Sequence, residues 1–495
     1  MKQITRRNFL RATAATGAVM TALPRMAHAK IRGANEDIRL AVIGVGGQGS
    51  NHCKYFGSIK GVRLVGVCDI DPAQIERCKK KIADSGLNMD PNFKGYQDFR
   101  QVLDNQDIDA ITSATPNHWH SLLTILACQA GKDVYIEKPV CHNIWEGRKM
   151  VEAARKYNRI VQTGTQKRSS EAHPAAYDWI RQGHIGKLTW VRGLCYKKRY
   201  EGSNGIVHGT NGPNPLPKDL DYNTWCGPAD MEPLHRENLH YKWHWVWSTG
   251  NGDLGNQGIH EMDLARWALG DPKLAPRVMS FGGRFRVNDA GETPNTQVVF
   301  LDYKPAPLIF EVRGLARKKG DASMDNWRRT GTRIGVVAQC EKGYWSAGDA
   351  GGYIWDNNDK RTSTKFEGEG GRGHHENFIK AVRSQKVSDL NADIECGHYS
   401  SSLCHLGNIS YLLGQKLSVA DARKCIDNEY LLDSFDRMVE HLKANEVDLD
   451  KEPITMGPML SFDPESEQFT GDLSTEANMY LARNYREPFV VPHKV

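Results

Sequence analysis

The chain has 495 residues, of which 39% are hydrophobic and 25% charged, with 47 glycines and 21 prolines. These proportions exclude a collagen, a coiled coil and a polytopic membrane protein, and the length provides for two or three domains with a large buried core. The formal charge is +6, but five positive charges (Lys2, Arg6, Arg7, Arg11, Arg25) fall in the first 29 residues, which hold no acid, so the remainder carries only +1. A nucleic acid or an anionic membrane is therefore not an expected partner.

Thr5-Arg6-Arg7-Asn8-Phe9-Leu10-Arg11 is followed by an uncharged run from Ala12 to Leu23 and by the small-x-small site Ala27-His28-Ala29. This pattern resembles a twin-arginine export signal. It implies removal of residues 1–29, handling by the twin-arginine export machinery and a periplasmic location. The run is too short and too rich in Ala and Thr to serve as a stable membrane anchor. Eleven cysteines, an odd number without a C-x-x-C pair, read as small buried hydrophobes rather than a disulfide framework or a zinc site. Export of an already folded protein is compatible with reduced cysteines and with a cofactor loaded beforehand.

Ile38 to Ile43 is a short apolar run, and Gly44-Val45-Gly46-Gly47-Gln48-Gly49 follows at once, opening a helical segment from Ser50 to Ile59. A second strand, Arg63 to Cys68, ends on Asp69, twenty residues past Gly49. Strand, G-x-G-x-x-G, helix, strand and acid in this order point to dinucleotide binding. Gly44 allows the tight turn, Gly46 lets backbone approach a pyrophosphate, Gly49 lets helix and strand pack, and the loop with Gly47 and Gln48 offers helix N-terminal N–H groups to the phosphates. A carboxylate at Asp69 accepts from a ribose 2′-OH and repels a 2′-phosphate, so NAD is favoured over NADP. Strands at Ile108 to Ser113, Asp133 to Ile136 and Ile160 to Thr163 alternate with helices at His118 to Ala130 and Ile144 to Tyr157, as in a doubly wound parallel sheet. Thr115-Pro116-Asn117-x-x-His120 and Glu137-Lys138-Pro139 fall beyond strand ends, where such sheets bind ligands.

Glu137-Lys138-Pro139 after a strand, the Gly44 fingerprint, the Thr115 to His120 segment and Gly252-Asp253-Leu254-Gly255-Asn256-Gln257-Gly258-Ile259-His260 together resemble the glucose-fructose oxidoreductase, inositol dehydrogenase and MocA (Gfo/Idh/MocA) family. The resemblance implies an α/β fold: an NAD-binding Rossmann domain over 30–165 and an α+β domain over 166–425, whose large, mostly antiparallel sheet carries the substrate face and often an oligomer interface. A homo-oligomer and a helix and loop extension over 426–495, packed back on the first domain, complete the expectation. Strands are read at Leu188 to Leu194, Val278 to Val287, Thr296 to Tyr303, Leu308 to Val312 and Arg333 to Ala338.

The resemblance makes Lys138 the cation beside nicotinamide and the substrate hydroxyl, and His260 the acid or base; Thr115, Asn117, His120 and Glu137 join the cofactor set. A secondary alcohol needs a base near its O–H before it loses hydride, and a cation that stabilises the developing alkoxide. The family's aspartate four residues before the histidine is Asn256 here, which cannot take a proton or stabilise an imidazolium by charge. Asp253 is a substitute only if its loop turns inward, and otherwise a turn residue. Leu239-His240-Tyr241-Lys242-Trp243-His244-Trp245-Val246-Trp247 offers Trp243 and Trp245 as faces for a sugar ring, or as the buried side of a strand. His240 and His244 lack a third ligand, so no metal is expected. An exported enzyme meets no replenished NAD pool, so the cofactor should stay bound and be regenerated within each cycle. The leading expectation is an NAD-dependent oxidoreductase acting on a carbohydrate alcohol. The alternatives are a redox-neutral glycoside-cleaving or sugar-isomerising enzyme working through a transient keto-sugar, and a non-catalytic NAD-containing sugar-binding protein.

Overall fold

The computed structural model describes residues 37–200 and 202–495; the segment read as an export signal lies outside them. Six parallel strands form the first sheet: β1 (Ile38–Ile43), β2 (Val62–Cys68), β3 (Met89–Tyr96), β4 (Ala110–Ser113), β5 (Asp133–Ile136) and β6 (Val161–Thr163), in the order β3-β2-β1-β4-β5-β6. β4, β5 and β6 are buried along their whole length, as strands covered by helices on both faces must be. Registry is level at the carboxyl edge: Ile43 pairs with Cys68 and Ser113, and Ser113 pairs with Ile136. Gly44, Asp69, the 114–117 turn and Glu137 therefore leave the sheet side by side, at the crevice where strand order reverses between β1 and β4. β3 carries little apolar alternation and contains Pro91, tolerable on this edge strand and invisible to a periodicity reading.

The second sheet has twelve strands. β7 (Leu188–Tyr196), β8 (Arg277–Gly283), β9 (Thr296–Leu301), β10 (Leu308–Arg313) and β11 (Ile334–Cys340) lie within two residues of expectation except at the end of β8, which stops four residues early. β12 (Gly343–Gly348), β13 (Gly351–Trp355) and β14 (Arg361–Glu367) continue one side; β15 (Gln415–Leu417), β16 (Ile454–Met456), β17 (Leu460–Asp463) and β18 (Gln468–Thr470) complete the other. Only the β7–β10 pairing is parallel. Period-2 alternation sends Val299, Leu301, Leu308 and Phe310 to one face, against helices Gly258–Ala268 and Ile394–Leu412, and Val298, Phe300 and Ile309 to the other, against helix Glu429–Ala444.

The chain passes back and forth between the two units. Phe378, Ile379, Ala381 and Val382 of helix His374–Ser384 pack beneath β1 with Leu40 and Val42. Of the C-terminal extension, the final stretch packs on the first domain through Phe489, Val491 and Val495, and Glu467 pairs with Arg148 of that domain; helix Glu429–Ala444 and β16 to β18 belong to the second. Nine of the eleven cysteines are buried, which fits their reading as small hydrophobes. Phe489, 2% exposed, meets Trp119 edge-on at 5.4 Å between centroids. Phe489→Ala should lower stability by about 3 kcal/mol, seen as a lower urea midpoint, with hydrogen exchange rising first in the helix that carries Trp119.

Candidate active site

A cavity of about 690 Å³ opens over the carboxyl edge of the first sheet and is closed from above by the second domain. At its floor Gly44 takes φ +79°, and a Cβ there would lie 2.8 Å from the Thr115 nitrogen. A Cβ on Gly49 would lie 1.8 Å from the Gly44 carbonyl oxygen, so only hydrogen fits between turn and helix. Gly46 and Gly47 face open space at the start of helix Gly47–Gly57. Backbone close to the cavity, free N–H groups and a helix N-terminus form a cradle of the size and polarity of a pyrophosphate. Asp69 accepts from the N–H groups of Val45 (2.8 Å) and Asp71 (3.0 Å), which leaves each oxygen a second lone pair. The capping role at the next helix belongs to Asp71, which accepts from Ala73 N–H, and Asp69 is left for a ligand. Burial raises the Asp69 carboxyl pKa.

Glu137, buried at the end of β5, is the hub of the neighbouring wall. Its Oε1 accepts from the Gln48 amide (3.1 Å) and lies 3.0 Å from His52 Nε2, while His52 Nδ1 meets the Thr112 hydroxyl at 2.5 Å. Burial pushes the Glu137 carboxyl up, but the His52 and Gln48 hydrogen bonds and the charge of Lys138 outweigh it, so the group stays a carboxylate. His120 bridges from below: Nδ1 lies 2.6 Å from the Pro139 carbonyl oxygen and Nε2 2.8 Å from that of Thr115. Burial lowers its pKa, and a neutral ring donates to only one of the two. Asn117 donates to Asn251 Oδ1 (3.0 Å), joining the floor to the loop before the Asp253 helix. The Lys138–Pro139 peptide bond is cis.

Above this floor Lys138 Nζ donates to the backbone oxygen (3.1 Å) and side-chain Oδ1 (3.4 Å) of Asn256. The amide that replaces the family carboxylate thus holds the lysine. Burial lowers the Lys138 pKa. His260 lines the same wall; its Nδ1 has no partner among the described residues, and burial, then the Lys138 charge, holds the imidazole well below its ordinary pKa. Gln166, Lys197 and Gln257 complete this end; Gln257 lies inside the Gly252 to His260 motif without having been singled out, Gln166 carries no motif, and the Lys197-Lys198-Arg199 run where β7 stops was the one sequence signal of Lys197.

Two expected site residues are placed elsewhere. Asp253 is buried and held by Arg199 Nε at 2.7 and 2.9 Å and by Trp245 Nε1 at 3.2 Å, so its loop does not turn inward and it cannot serve the base. Trp245 is fully buried with Arg199 over its ring, and the segment forms a 3₁₀ turn over Lys242–Trp245 instead of a strand, which separates it from Trp243. Trp243 lines the cavity, its ring 3.6 Å from and nearly parallel to that of His244. His240 reaches the opposite end, with Nε2 2.8 Å from Asp71 Oδ2, and Trp225 walls the same end. Apart from Gly49, which packs beneath the loop, the other predicted residues converge on this one cavity.

The Gfo/Idh/MocA description "Oxidoreductase family, NAD-binding Rossmann fold" matches residues 38–165, and its "Oxidoreductase family, C-terminal alpha/beta domain" matches 184–303, together half of the chain. The chain belongs to this family. Its first domain is an NAD-binding Rossmann domain. Among curated relatives, a "Glycosyl hydrolase family 109 protein 2" of Shewanella sp. (strain ANA-3) is 29% identical over 206 residues, 38% of this chain and 45% of that protein. A "Glycosyl hydrolase family 109 protein" of Saccharopolyspora erythraea is 25% identical over 38% of this chain and 46% of that one. The chain thus spans less than half the length of these relatives. The fold is shared with the WlbA dehydrogenase from Bordetella pertussis, solved with NADH and UDP-GlcNAcA (TM-score 0.52, 19% identity, 75% of this chain and 96% of that one), and with GenD2 from gentamicin A biosynthesis, solved with NAD (TM-score 0.54, 15% identity, 78% and 96%). Gly49→Ala should abolish dinucleotide binding in a fluorescence titration while circular dichroism remains that of the parent.

Proposed function

We propose that the protein is an exported oxidoreductase that moves hydride between a secondary alcohol of a carbohydrate and a tightly held NAD. The observation that carries this reading is the convergence of Lys138, Asn256 and His260 on the cavity that holds the dinucleotide loop. When bound, the nicotinamide supplies the hydride acceptor. The protein's own groups handle the proton and the oxygen. His260, neutral in its buried setting, takes the O–H proton. Lys138 gives two N–H bonds to Asn256 and keeps the third for the substrate oxygen, where negative charge grows. Asn256 aims that ammonium without neutralising it. Trp243 offers an indole face to the C–H side of a sugar ring. Gly46 and Gly47 receive the pyrophosphate, Asp69 the ribose and Thr115, Asn117 and Glu137 shape the floor beneath the reacting end.

Export through the twin-arginine machinery to the periplasm is the reading of Arg6-Arg7 and Ala27-His28-Ala29. It requires a retained cofactor, and the contact of His240 with Asp71, together with Trp225, supports retention by strapping the ribose end under the second domain. The glycosyl hydrolase names of the curated relatives favour a second reading on the same residues: oxidation to a keto-sugar, elimination of the glycosidic group with the proton that the ketone acidifies, addition of water to the resulting double bond and re-reduction within one cycle, with no net change of the cofactor.

Mass spectrometry of nucleotide released on denaturing the purified protein should find NAD in near-equal amount to protein, and less of it from His240→Ala; recovery of none from protein prepared without added cofactor would sink the tight-binding reading. The working form needs Lys138 charged and His260 neutral, so the rate should hold through neutral pH and fall as pH rises through the lowered Lys138 pKa. Asn256→Asp places a carboxylate beside that ammonium and should move the alkaline limb up by about one pH unit.

A further inference from the structure

The acids around the reacting end are all committed. Glu137 is engaged by His52 and Gln48, Asp253 by Arg199 and Trp245, and Glu261 by Lys167. Among the described residues Lys138 Nζ donates hydrogen bonds only to oxygens of an uncharged amide and backbone. Beside it on the cavity wall stands a second ammonium, Lys197, at the end of β7, half-buried and without an acidic partner among the described residues. Among the described residues the one hydrogen bond of its Nζ goes to Gln257 Oε1, at 2.7 Å. Gln257 is oriented from behind, its Nε2 donating to Glu261 Oε1 (3.3 Å), which also accepts from Lys167 (2.5 Å). The relay from Lys167 through Glu261 and Gln257 fixes which end of the amide meets Lys197 and leaves two N–H donors of Lys197 unused. A positioned, partly desolvated cation with no countercharge costs free energy that an anionic ligand recovers.

We infer that Lys197 forms a subsite for a carboxylate, so that the substrate is an acidic sugar or sugar acid whose carboxylate sits on Lys197 while a secondary hydroxyl meets Lys138 and His260. This rests on the proposed oxidation of a carbohydrate in the same cavity. A single ammonium balances the one charge of a carboxylate, whereas a phosphate monoester, at about −1.5 to −2, would keep part of its charge uncompensated there.

The test is calorimetric titration of the NAD-loaded protein with D-glucuronate, D-galacturonate and D-gluconate against D-glucose, D-galactose and D-glucose 6-phosphate, with nicotinamide absorbance followed in parallel. At least one carboxylate should bind about tenfold or more tighter than the neutral sugars and the phosphate. Lys197→Gln should remove that preference with the NAD content unchanged, and Lys197→Arg should restore most of it. No preference for any acid, a preference for the phosphate, or a preference that survives in Lys197→Gln overturns the inference. The hydride reading fails separately: carboxylate binding that depends on Lys197 without any change of nicotinamide absorbance on any of these ligands counts against oxidation and leaves the subsite standing.

Discussion

A carboxylate buried at the end of a parallel strand is costly unless its oxygens are filled, and the way Glu137 is filled organises the site. One oxygen is taken by Gln48 and His52, which come from the helix that begins in the glycine loop; the other accepts from the N–H of Lys138 at 3.2 Å. The loop that cradles phosphate and the loop that carries the lysine are thereby fastened to each other through one group. His120 adds the next link, its ring set between the carbonyl oxygens of Thr115 and Pro139. Three strand ends thus share one polar network beneath the cavity, and the lysine above it stands on a floor that cannot shift piecemeal.

The part of this arrangement legible in the sequence is the part set by local rules. Gly44, Gly49 and Asp69 sit at fixed offsets because a strand, a turn and a helix have fixed lengths, and level strand registry then delivers Glu137 and Thr115 to the same edge. β7 to β11 were legible as runs of strand-forming residues that fit the fold the family resemblance implies. What escaped is what depends on long-range pairing. β3 is an exposed edge whose side chains need no alternation, and β12 and β13 are rich in glycine. β15 to β18 are three- or four-residue strands, and β16 and β17 join the sheet through β8, far earlier in the chain. Asp253 and Trp245 look like active-site residues in one dimension; Arg199, distant in sequence, claims both. Lys197 carries no motif, Gln257 is one unremarked position within the Gly252 to His260 motif, and both acquire a role only when β7 ends beside the Asn256 turn.

Asn256 shows how one substitution in a family pattern redistributes duties. A carboxylate at this place would share its charge between base and cation. The amide accepts from Lys138 through Oδ1 and leaves His260 without a partner at Nδ1. The lysine is thus aimed and kept electrostatically hungry, and the histidine is kept neutral by burial rather than paired.

The chain crosses repeatedly between the two units. Helix His374–Ser384 and the segment ending in Phe489 and Val491 are anchored under the first sheet, while the stretches before and between them belong to the second. Several covalent crossings at separate points couple the two halves of the molecule. The contact of His240 with Asp71 adds a side-chain link between the second domain and the turn after β2, at the end of the cavity where Asp69 lies, so the two units meet through non-covalent contacts as well as through chain crossings.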